Sequence, residues 1–166
     1  MALPHSGTPD GNAAAPAWMS GPIVDVRASL DITAPATGST ATQGRREFSA
    51  WLAVDLTTGD LFDDLVLAVY EAIANTVDHA YAHVSEPGPV RLLARRVDHA
   101  IHVTITDHGC WRGDDHVDST RPFRGRGLTL IRSLVPDVHL ERGPAGTTVH
   151  LRAPLPPPIA RGLIRP

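Results

Sequence analysis

The chain has 166 residues, of which 42% are hydrophobic and 20% are charged, and its formal net charge is −3. These values are typical of one globular domain with a buried core, and they give no electrostatic reason to expect direct binding to nucleic acid. The single cysteine, Cys110, excludes an intramolecular disulfide and agrees with a cytoplasmic location. No apolar run approaches the roughly 20 residues of a membrane span, so no membrane contact is expected.

Both ends of the chain differ in composition from its middle. Residues 1–22 are rich in Ala, Gly, Pro and Ser, and we predict a disordered tail there. Residues 156–166 are rich in Pro and are predicted to form a second tail. The folded domain is therefore predicted to span residues 23–155.

The first predicted elements of the domain are a strand and a helix. Alternating apolar residues predict a strand from Ile23 to Ile32, which Ala34-Pro35-Ala36 is expected to end. Residues 39–53 carry Phe48, Trp51 and Leu52 at helical spacing, with Ser39 as a candidate cap.

A second helix is predicted over residues 61–80, and the domain is organised around it. Its apolar residues recur at steps of three and four, which is one face of an α-helix: Phe62, Val66, Val69, Ile73, Val77 and Ala80. Asp60 is predicted to cap it. A second stripe is polar and consists of Asp64, Glu71, Asn75 and Asp78.

The rest of the domain alternates between strands, a long loop and a short helix. Strands are predicted at 90–97, 100–106, 138–141 and 147–153, a loop at 108–124, and a helix at 128–135. This order predicts an α+β fold, a two-layer sandwich in which helices cover one face of a mostly antiparallel mixed sheet.

Glu71 and Asn75 form the first candidate site. Residues four apart lie on the same face of a helix. An Asn carbonyl suits Mg²⁺, which takes few protein oxygens, and a nearby Glu can deprotonate a nucleophile. A solvated polar face is the alternative explanation of this stripe.

The second candidate site is Asp107-His108-Gly109, directly after a predicted strand. Asp107 has the parity of Ile101, Val103 and Ile105, so it should point to the face covered by helices. A buried carboxylate needs donors, and an adenine amino group would be suitable, with Gly109 leaving room for the base. An ordinary Asp-x-Gly turn is the alternative.

The third candidate site opens the short helix with Arg124-Gly125-Arg126-Gly127-Leu128. Glycines at a helix N-terminus expose backbone N–H groups, which favours bound phosphate, and arginines add charge-assisted hydrogen bonds. The alternative is a flexible entry into the helix. Neither a P-loop nor a Rossmann fingerprint is present.

In this order and spacing, the three sites resemble the motifs of the GHKL superfamily, which includes gyrase, heat-shock chaperones, histidine kinases and mismatch-repair proteins. Residues 71–80 resemble its N box, residues 107–111 its adenine box, residues 124–128 its phosphate-side box, and residues 146–149 its closing strand motif. The chain is most similar to the bacterial anti-sigma factor serine-protein kinases. The resemblance covers about residues 23–153 and implies the GHKL (Bergerat) fold.

The resemblance also implies roles for these residues. Asn75 would hold Mg²⁺, and Asp107 would bind the adenine amino group of ATP with help from Gly109 and Thr147. Glu71 would be the general base on a substrate serine. The phosphates would be wrapped by residues 124–128, that is Arg124, Gly125, Arg126, Gly127 and Leu128.

The same resemblance implies partners and a movable lid. The implied partners are a bacterial sigma factor and a STAS-domain anti-anti-sigma factor, and a homodimer is a candidate assembly. Residues 110–124 would be the ATP lid, mobile without nucleotide and ordered with it.

Trp111 stands where the family usually has a second Gly. Because of this difference, a non-catalytic, nucleotide-binding anti-sigma or adaptor module is an alternative to the kinase. A detached histidine-kinase catalytic domain is a third alternative, although no upstream helical hairpin that could carry a phospho-accepting His is expected.

Two other features have simpler explanations. His79 and His83 have helical spacing that could suit zinc, but no third ligand accompanies them, so we expect a structural role at a helix end. Cys110 is expected to line the pocket as a small side chain rather than to act in redox chemistry.

Overall fold

The computed structural model describes residues 15–19, 29–54, 59–110 and 127–156. In these ranges the strands are β1 (Leu30–Pro35), β2 (Pro89–Val97), β3 (Ala100–Asp107), β4 (Asp137–Gly143) and β5 (Gly146–Pro154). The helices are α1 (Gly38–Leu52), α2 (Asp60–Asn75) and α3 (Gly127–Leu134). A π-helical turn, Thr76–Ala80, continues α2, and a 3₁₀ turn, Ala17–Met19, precedes β1.

The strands form one sheet in the order β1-β2-β3-β5-β4. Each neighbouring pair is antiparallel, so the described sheet is antiparallel throughout and not mixed. The predicted fold class is confirmed, since this is an α+β sandwich with helices on one face. None of the helices in the described ranges combines the length and the hydropathy needed to cross a membrane.

The core lies between the helices and the inner face of the sheet. Phe48 and Leu52 of α1 are fully buried, as are Val69 and Ile73 of α2. Alternate residues of the central strands meet them: Leu92, Ala94, Ile101, Val103, Ile105, Val149 and Leu151. The predicted apolar face of α2 is confirmed at the centre of the helix, where its residues are buried. Burial of this face stabilises the helix in the folded domain.

Both helix caps differ from their predictions. Thr37, not Ser39, is the N-cap of α1, and its hydroxyl accepts a hydrogen bond from the Thr40 N–H at 3.4 Å. Gly59, not Asp60, is the N-cap of α2, with φ at 115°, which is a conformation that favours glycine. Asp60 is instead in the first turn, where its negative charge interacts favourably with the helix dipole.

The first strand runs further than expected. It was predicted to break at Ala34-Pro35, yet β1 continues to Pro35, which pairs with Pro89. Proline has no backbone N–H to donate to a neighbouring strand. It is tolerated here because β1 is an edge strand, which pairs with a neighbour on one side only. The predicted start at Ile23 lies outside the described residues.

The end of the organising helix also differs from the prediction. Regular α-helix was expected to continue to Ala80, but it ends at Asn75 and passes into the π turn. The Ala80 carbonyl accepts a hydrogen bond from the Cys110 N–H at 2.9 Å. A contact with a distant segment therefore accompanies the change of helix type.

Part of the predicted N-terminal tail lies against the outer face of the sheet. The ring of Trp18 meets His102 edge-on, with 5.3 Å between ring centroids. The lid at residues 110–124 lies outside the described residues except for Cys110, and the C-terminal tail is outside them after residue 156.

Candidate functional site

A buried carboxylate at the end of β3 forms one side of the site. Asp107 is 2% exposed and pairs in register with Thr147 of β5, which is 3% exposed. The backbone N–H of Thr147 donates to Oδ1 of Asp107 at 3.3 Å, and the N–H of Gly109 donates to the same oxygen at 3.0 Å. These donors offset the desolvation of the carboxylate and fix its orientation. The predicted inward direction of both side chains is confirmed.

The loop after Asp107 is held against the π turn. Cys110 donates its N–H to the Ala80 carbonyl, and His108 donates its N–H to the Tyr81 hydroxyl at 3.0 Å. The same hydroxyl donates to the Pro89 carbonyl at 2.8 Å. Tyr81 thus joins α2, β2 and the loop. Sequence reasoning missed it, because a lone tyrosine after a helix carries no distinctive pattern.

Gly109 has a steric role that the sequence did not indicate. A Cβ atom placed on it would overlap the carbonyl of Ala80. The glycine therefore permits the close approach of the loop to the π turn. The predicted role of Gly109 in leaving room for a base stays a prediction.

Asn75 and Gly127 form the opposite side of the site. A Cβ atom on Gly127 would lie 2.5 Å from both Oδ1 and Nδ2 of Asn75. The last α-helical residue of α2 therefore packs directly on the first residue of α3. Nδ2 of Asn75 is buried and has no hydrogen-bond partner within the described part of the chain. A buried amide without a partner is costly, so it is a candidate ligand contact.

Two further predicted residues, Glu71 and Leu128, are close in sequence to the two members of this contact. Glu71 lies one turn before Asn75 on α2 and is half-buried. Leu128 follows Gly127 and packs against the core. The other three residues of the predicted phosphate-side box lie outside the described residues: Arg124, Gly125 and Arg126.

Comparisons with known proteins agree with this geometry. Residues 34–153 match the family described as the histidine kinase-like ATPase domain. The chain belongs to this family. The chain is 30% identical over 105 residues to the serine-protein kinase RsbW of Staphylococcus epidermidis. It is 29% identical over 107 residues to RsbW of Staphylococcus aureus.

A solved structure is also similar to this chain. The crystal structure of the RsbU and RsbW domains of a Mycobacterium tuberculosis protein matches with a TM-score of 0.62 and 27% identity, over 78% of this chain and 33% of that one. The matched segments cover 55% of this chain and 65% of the Staphylococcus epidermidis protein. The predicted resemblance to the GHKL superfamily and to its serine-protein kinase branch is confirmed.

Membership in a histidine kinase-like ATPase family implies ATP binding, and two observations are compatible with a nucleotide at this site. Asp107 is an oriented acceptor in a buried position, which suits an amino group of a base. The Asn75 carboxamide is in close contact with Gly127, and a side chain at residue 127 would displace it. Its oxygen is a hard ligand of the type that Mg²⁺ accepts.

His79, His83 and Cys110 lie at or near the π turn. The described residues contain no group of three or more His, Cys, Asp or Glu side chains that could hold a metal ion. His79 lies in the π turn and His83 beyond it, so the two do not share one regular helix face. Cys110 is exposed, and its described contact is the backbone hydrogen bond to Ala80.

A recess opens mainly on the other face of the sheet. It has a volume of about 540 Å³ and is lined chiefly by polar side chains of β3, β4 and β5, including Thr106, His139, Glu141 and Thr148. These four residues have the opposite parity to Asp107 and Thr147. Asp107 and His108 also line the recess, so it reaches the end of β3.

Proposed function

We propose that this protein is an ATP-dependent serine-protein kinase that also sequesters a bacterial sigma factor. The contact between Asn75 and Gly127 is the observation that carries the proposal. It joins a Mg²⁺-type oxygen ligand to the start of α3, where backbone N–H groups favour phosphate. Membership in the histidine kinase-like ATPase family supports the same assignment.

In this proposal the adenine base lies against the end of β3. Its 6-amino group donates to Asp107, whose carboxylate is already oriented by two backbone N–H groups. Thr147 closes this side of the pocket. Gly109 supports it indirectly, by allowing the loop to approach Ala80.

The phosphates would extend from the base toward α3. Asn75 would hold Mg²⁺, which supplies charge neutralisation for phosphoryl transfer when it is bound. Gly127 and Leu128 open the helix that faces the phosphates, and the arginines and glycine at 124–126 complete the predicted box. Phosphate binding at a helix N-terminus needs only backbone N–H groups and the helix dipole.

Glu71 would act on the protein substrate. Its carboxylate accepts the proton of a serine hydroxyl, the serine oxygen forms a bond to the γ-phosphorus, and the bond from that phosphorus to the β–γ bridging oxygen breaks. ADP leaves, and the phosphate remains on the serine. A base on the same helix face as the Mg²⁺ ligand is suitably placed for this step.

The proposed partners come from the family resemblance. The serine belongs to a STAS-domain anti-anti-sigma factor, and the unphosphorylated antagonist draws the kinase away from the sigma factor in the cytoplasm. The Staphylococcus proteins that this chain resembles are serine-protein kinases, which supports the reaction class. A homodimer is a candidate assembly.

One experiment separates the proposal from its alternatives. The protein is incubated with γ-labelled ATP, Mg²⁺ and candidate STAS proteins, and the labelled amino acid is identified. Label on serine of the STAS protein supports the kinase. ATP binding without transfer favours the non-catalytic adaptor that Trp111 keeps open, and label on histidine would favour a histidine-kinase domain.

A further inference from the structure

The paired strands β2 and β3 separate by one hydrogen bond at the end nearest the candidate site. Val90 and Asp107 are the last register pair of these strands, so Pro89 and His108 occupy the next position. Between their backbones lies the Tyr81 hydroxyl, which accepts from the His108 N–H at 3.0 Å and donates to the Pro89 carbonyl at 2.8 Å. One side-chain oxygen is thus inserted between the two strands.

The ladder would otherwise continue with a direct hydrogen bond at this position. In an antiparallel pair, hydrogen-bonded and non-hydrogen-bonded positions alternate. Val97 and Ala100 close a two-residue turn, and the closing pair of such a hairpin is hydrogen-bonded. Counted from that pair, Pro89 and His108 are again at a hydrogen-bonded position. Since Pro89 has no N–H, its carbonyl and the His108 N–H are the groups that would bond, and the Tyr81 hydroxyl joins these two groups.

The position of the Tyr81 side chain is set by its neighbour in space, Gly88. A Cβ atom on Gly88 would overlap the ring and the hydroxyl of Tyr81. The Gly88 carbonyl accepts a hydrogen bond from the Ala36 N–H at 2.9 Å, which holds this segment to the chain after β1. The aromatic ring therefore lies against backbone on one side, and its oxygen is held at a fixed place between the strands.

From this point the chain after β3 follows the π turn. His108 donates its N–H to Tyr81, and Cys110 donates its N–H to the Ala80 carbonyl at 2.9 Å. The residue between them donates its N–H to Oδ1 of Asp107 at 3.0 Å. Two adjacent residues at the end of the π turn thus hold the loop that contains a hydrogen-bond donor of the buried carboxylate.

We propose that Tyr81 is a positioning residue for the nucleotide site. Its hydroxyl replaces one ladder bond and so directs the chain that follows Asp107 from β2 onto the π turn. Without the hydroxyl, the Pro89 carbonyl and the His108 N–H can bond directly, the ladder gains one pair, and the loop is drawn away from the π turn. The inference rests on the proposed nucleotide binding and names a residue that acts on that site through the loop.

The test is Tyr81→Phe, which keeps the ring and removes the hydroxyl. Calorimetry gives the Kd for ADP, and amide hydrogen exchange followed by NMR gives the protection of the Cys110 N–H. We expect ADP affinity to fall by about 3- to 10-fold and Cys110 exchange to rise by about the same factor, the range of one ordinary hydrogen bond. The Leu155 N–H, which donates to the His99 carbonyl at 2.7 Å near the other end of β3, should exchange at the wild-type rate.

The control variant is Tyr70→Phe on α2. Tyr70 is also half-buried, and the Arg45 guanidinium lies 5.9 Å from the centre of its ring. This substitution keeps the ring and should leave ADP affinity and Cys110 exchange unchanged. A purely structural role of the Tyr81 hydroxyl would raise the exchange of the Cys110 and Leu155 amides together, because it would lower the stability of the whole domain.

Each result bears on a stated claim. Cys110 exchange at the wild-type rate in Tyr81→Phe overturns the role of Tyr81, whatever the nucleotide affinity. Faster Cys110 exchange with unchanged ADP affinity overturns the link between the loop and the nucleotide site. A wild-type protein that does not bind ADP overturns the proposed function, while amide exchange separately decides whether Tyr81 positions the loop. If Tyr81→Phe does not fold, Gly88→Ala displaces the ring while keeping the hydroxyl, and the same two values are compared.

Discussion

Asn75 packs so closely on Gly127 that a Cβ atom at residue 127 would lie 2.5 Å from both atoms of its amide group. Gly127→Ala must therefore displace either the Asn75 carboxamide or the start of α3. Overpacking of this kind costs about 1–3 kcal/mol. If that cost falls on the ligand-binding geometry, Mg-ATP affinity should fall by about 5- to 150-fold, as measured by calorimetry.

A matched control exists for this variant. Gly38 is the first residue of α1, as Gly127 is of α3, and a Cβ atom there would meet nothing within 4 Å. Gly38→Ala should leave Mg-ATP affinity unchanged. Equal affinities of wild type and Gly127→Ala would remove the argument that ligand binding needs the close contact of Asn75 with Gly127.

The second prediction concerns Asp107. Asp107→Asn keeps the shape but replaces a charged acceptor with a neutral amide, so ATP and ADP should weaken alike, because the base is common to both. A hydrogen bond to a charged group contributes about 1.5–3 kcal/mol, or roughly 10- to 150-fold in affinity. Asp31→Asn is the control, since Asp31 forms an exposed pair with Arg91 on the outer face of the sheet. Unchanged ADP affinity in a folded Asp107→Asn protein would exclude this residue as the adenine acceptor.

The third prediction concerns pH and stability. Burial lowers the pKa of His102 and of His150, and for His102 the charge of Arg152 adds to the effect. For His150 the nearby Glu141 opposes the shift without reversing it. The folded protein thus favours both imidazoles in their neutral form.

The direction of the pH effect follows from proton uptake. An imidazole in the unfolded chain has a pKa of about 6.5 and takes up its proton first as pH falls. The contribution of the two neutral imidazoles to the free energy of unfolding should therefore be complete above about pH 6.5. It should decrease as pH falls from there through the lowered pKa values. Urea denaturation at about pH 7.5 and about pH 5.5 measures the difference.

Single substitutions identify the groups responsible. His150→Gln should reduce the loss of stability between the two pH values, whereas His83→Gln should not, because His83 is exposed. If His102→Gln and His150→Gln both leave the pH dependence at its wild-type size, these two half-buried imidazoles are not its source.

Periodicity predicted the parts of the fold that burial controls. Val66, Val69 and Ile73 were placed on the inner face of α2 because a helix in water is stabilised mainly by burying one apolar stripe. Strand parity likewise placed Asp107 and Thr147 together, since alternate residues of a strand share one face. These relationships depend on sequence spacing alone.

The features that the sequence did not predict depend on contacts between distant segments. The π turn coincides with the hydrogen bond from Cys110 to Ala80, and the role of Tyr81 depends on His108 and Pro89. The local propensity of a segment does not depend on distant partners, so it could not predict these contacts. Thr37 and Ser39 illustrate a different limit, because both are good cap residues and only the backbone path decides between them.

The proposed reaction is tested most directly by Glu71→Gln. Glutamine keeps the size of the side chain but cannot accept the serine proton, and a general base contributes about 10²- to 10⁴-fold in rate. A base that acts only on the incoming hydroxyl need not affect the binding of ATP. The control is Glu47→Gln on α1, where the Glu accepts a hydrogen bond from Gln43 one turn earlier and lies outside the site.

The decisive measurement is the rate of phosphate transfer from Mg-ATP to the serine of the STAS partner, made beside the Kd for Mg-ATP. We predict that Glu71→Gln binds Mg-ATP and the sigma factor like the wild type and transfers phosphate at least about 100-fold more slowly, while Glu47→Gln is normal in all three. Transfer by Glu71→Gln at the wild-type rate would contradict the assignment of Glu71 as the base.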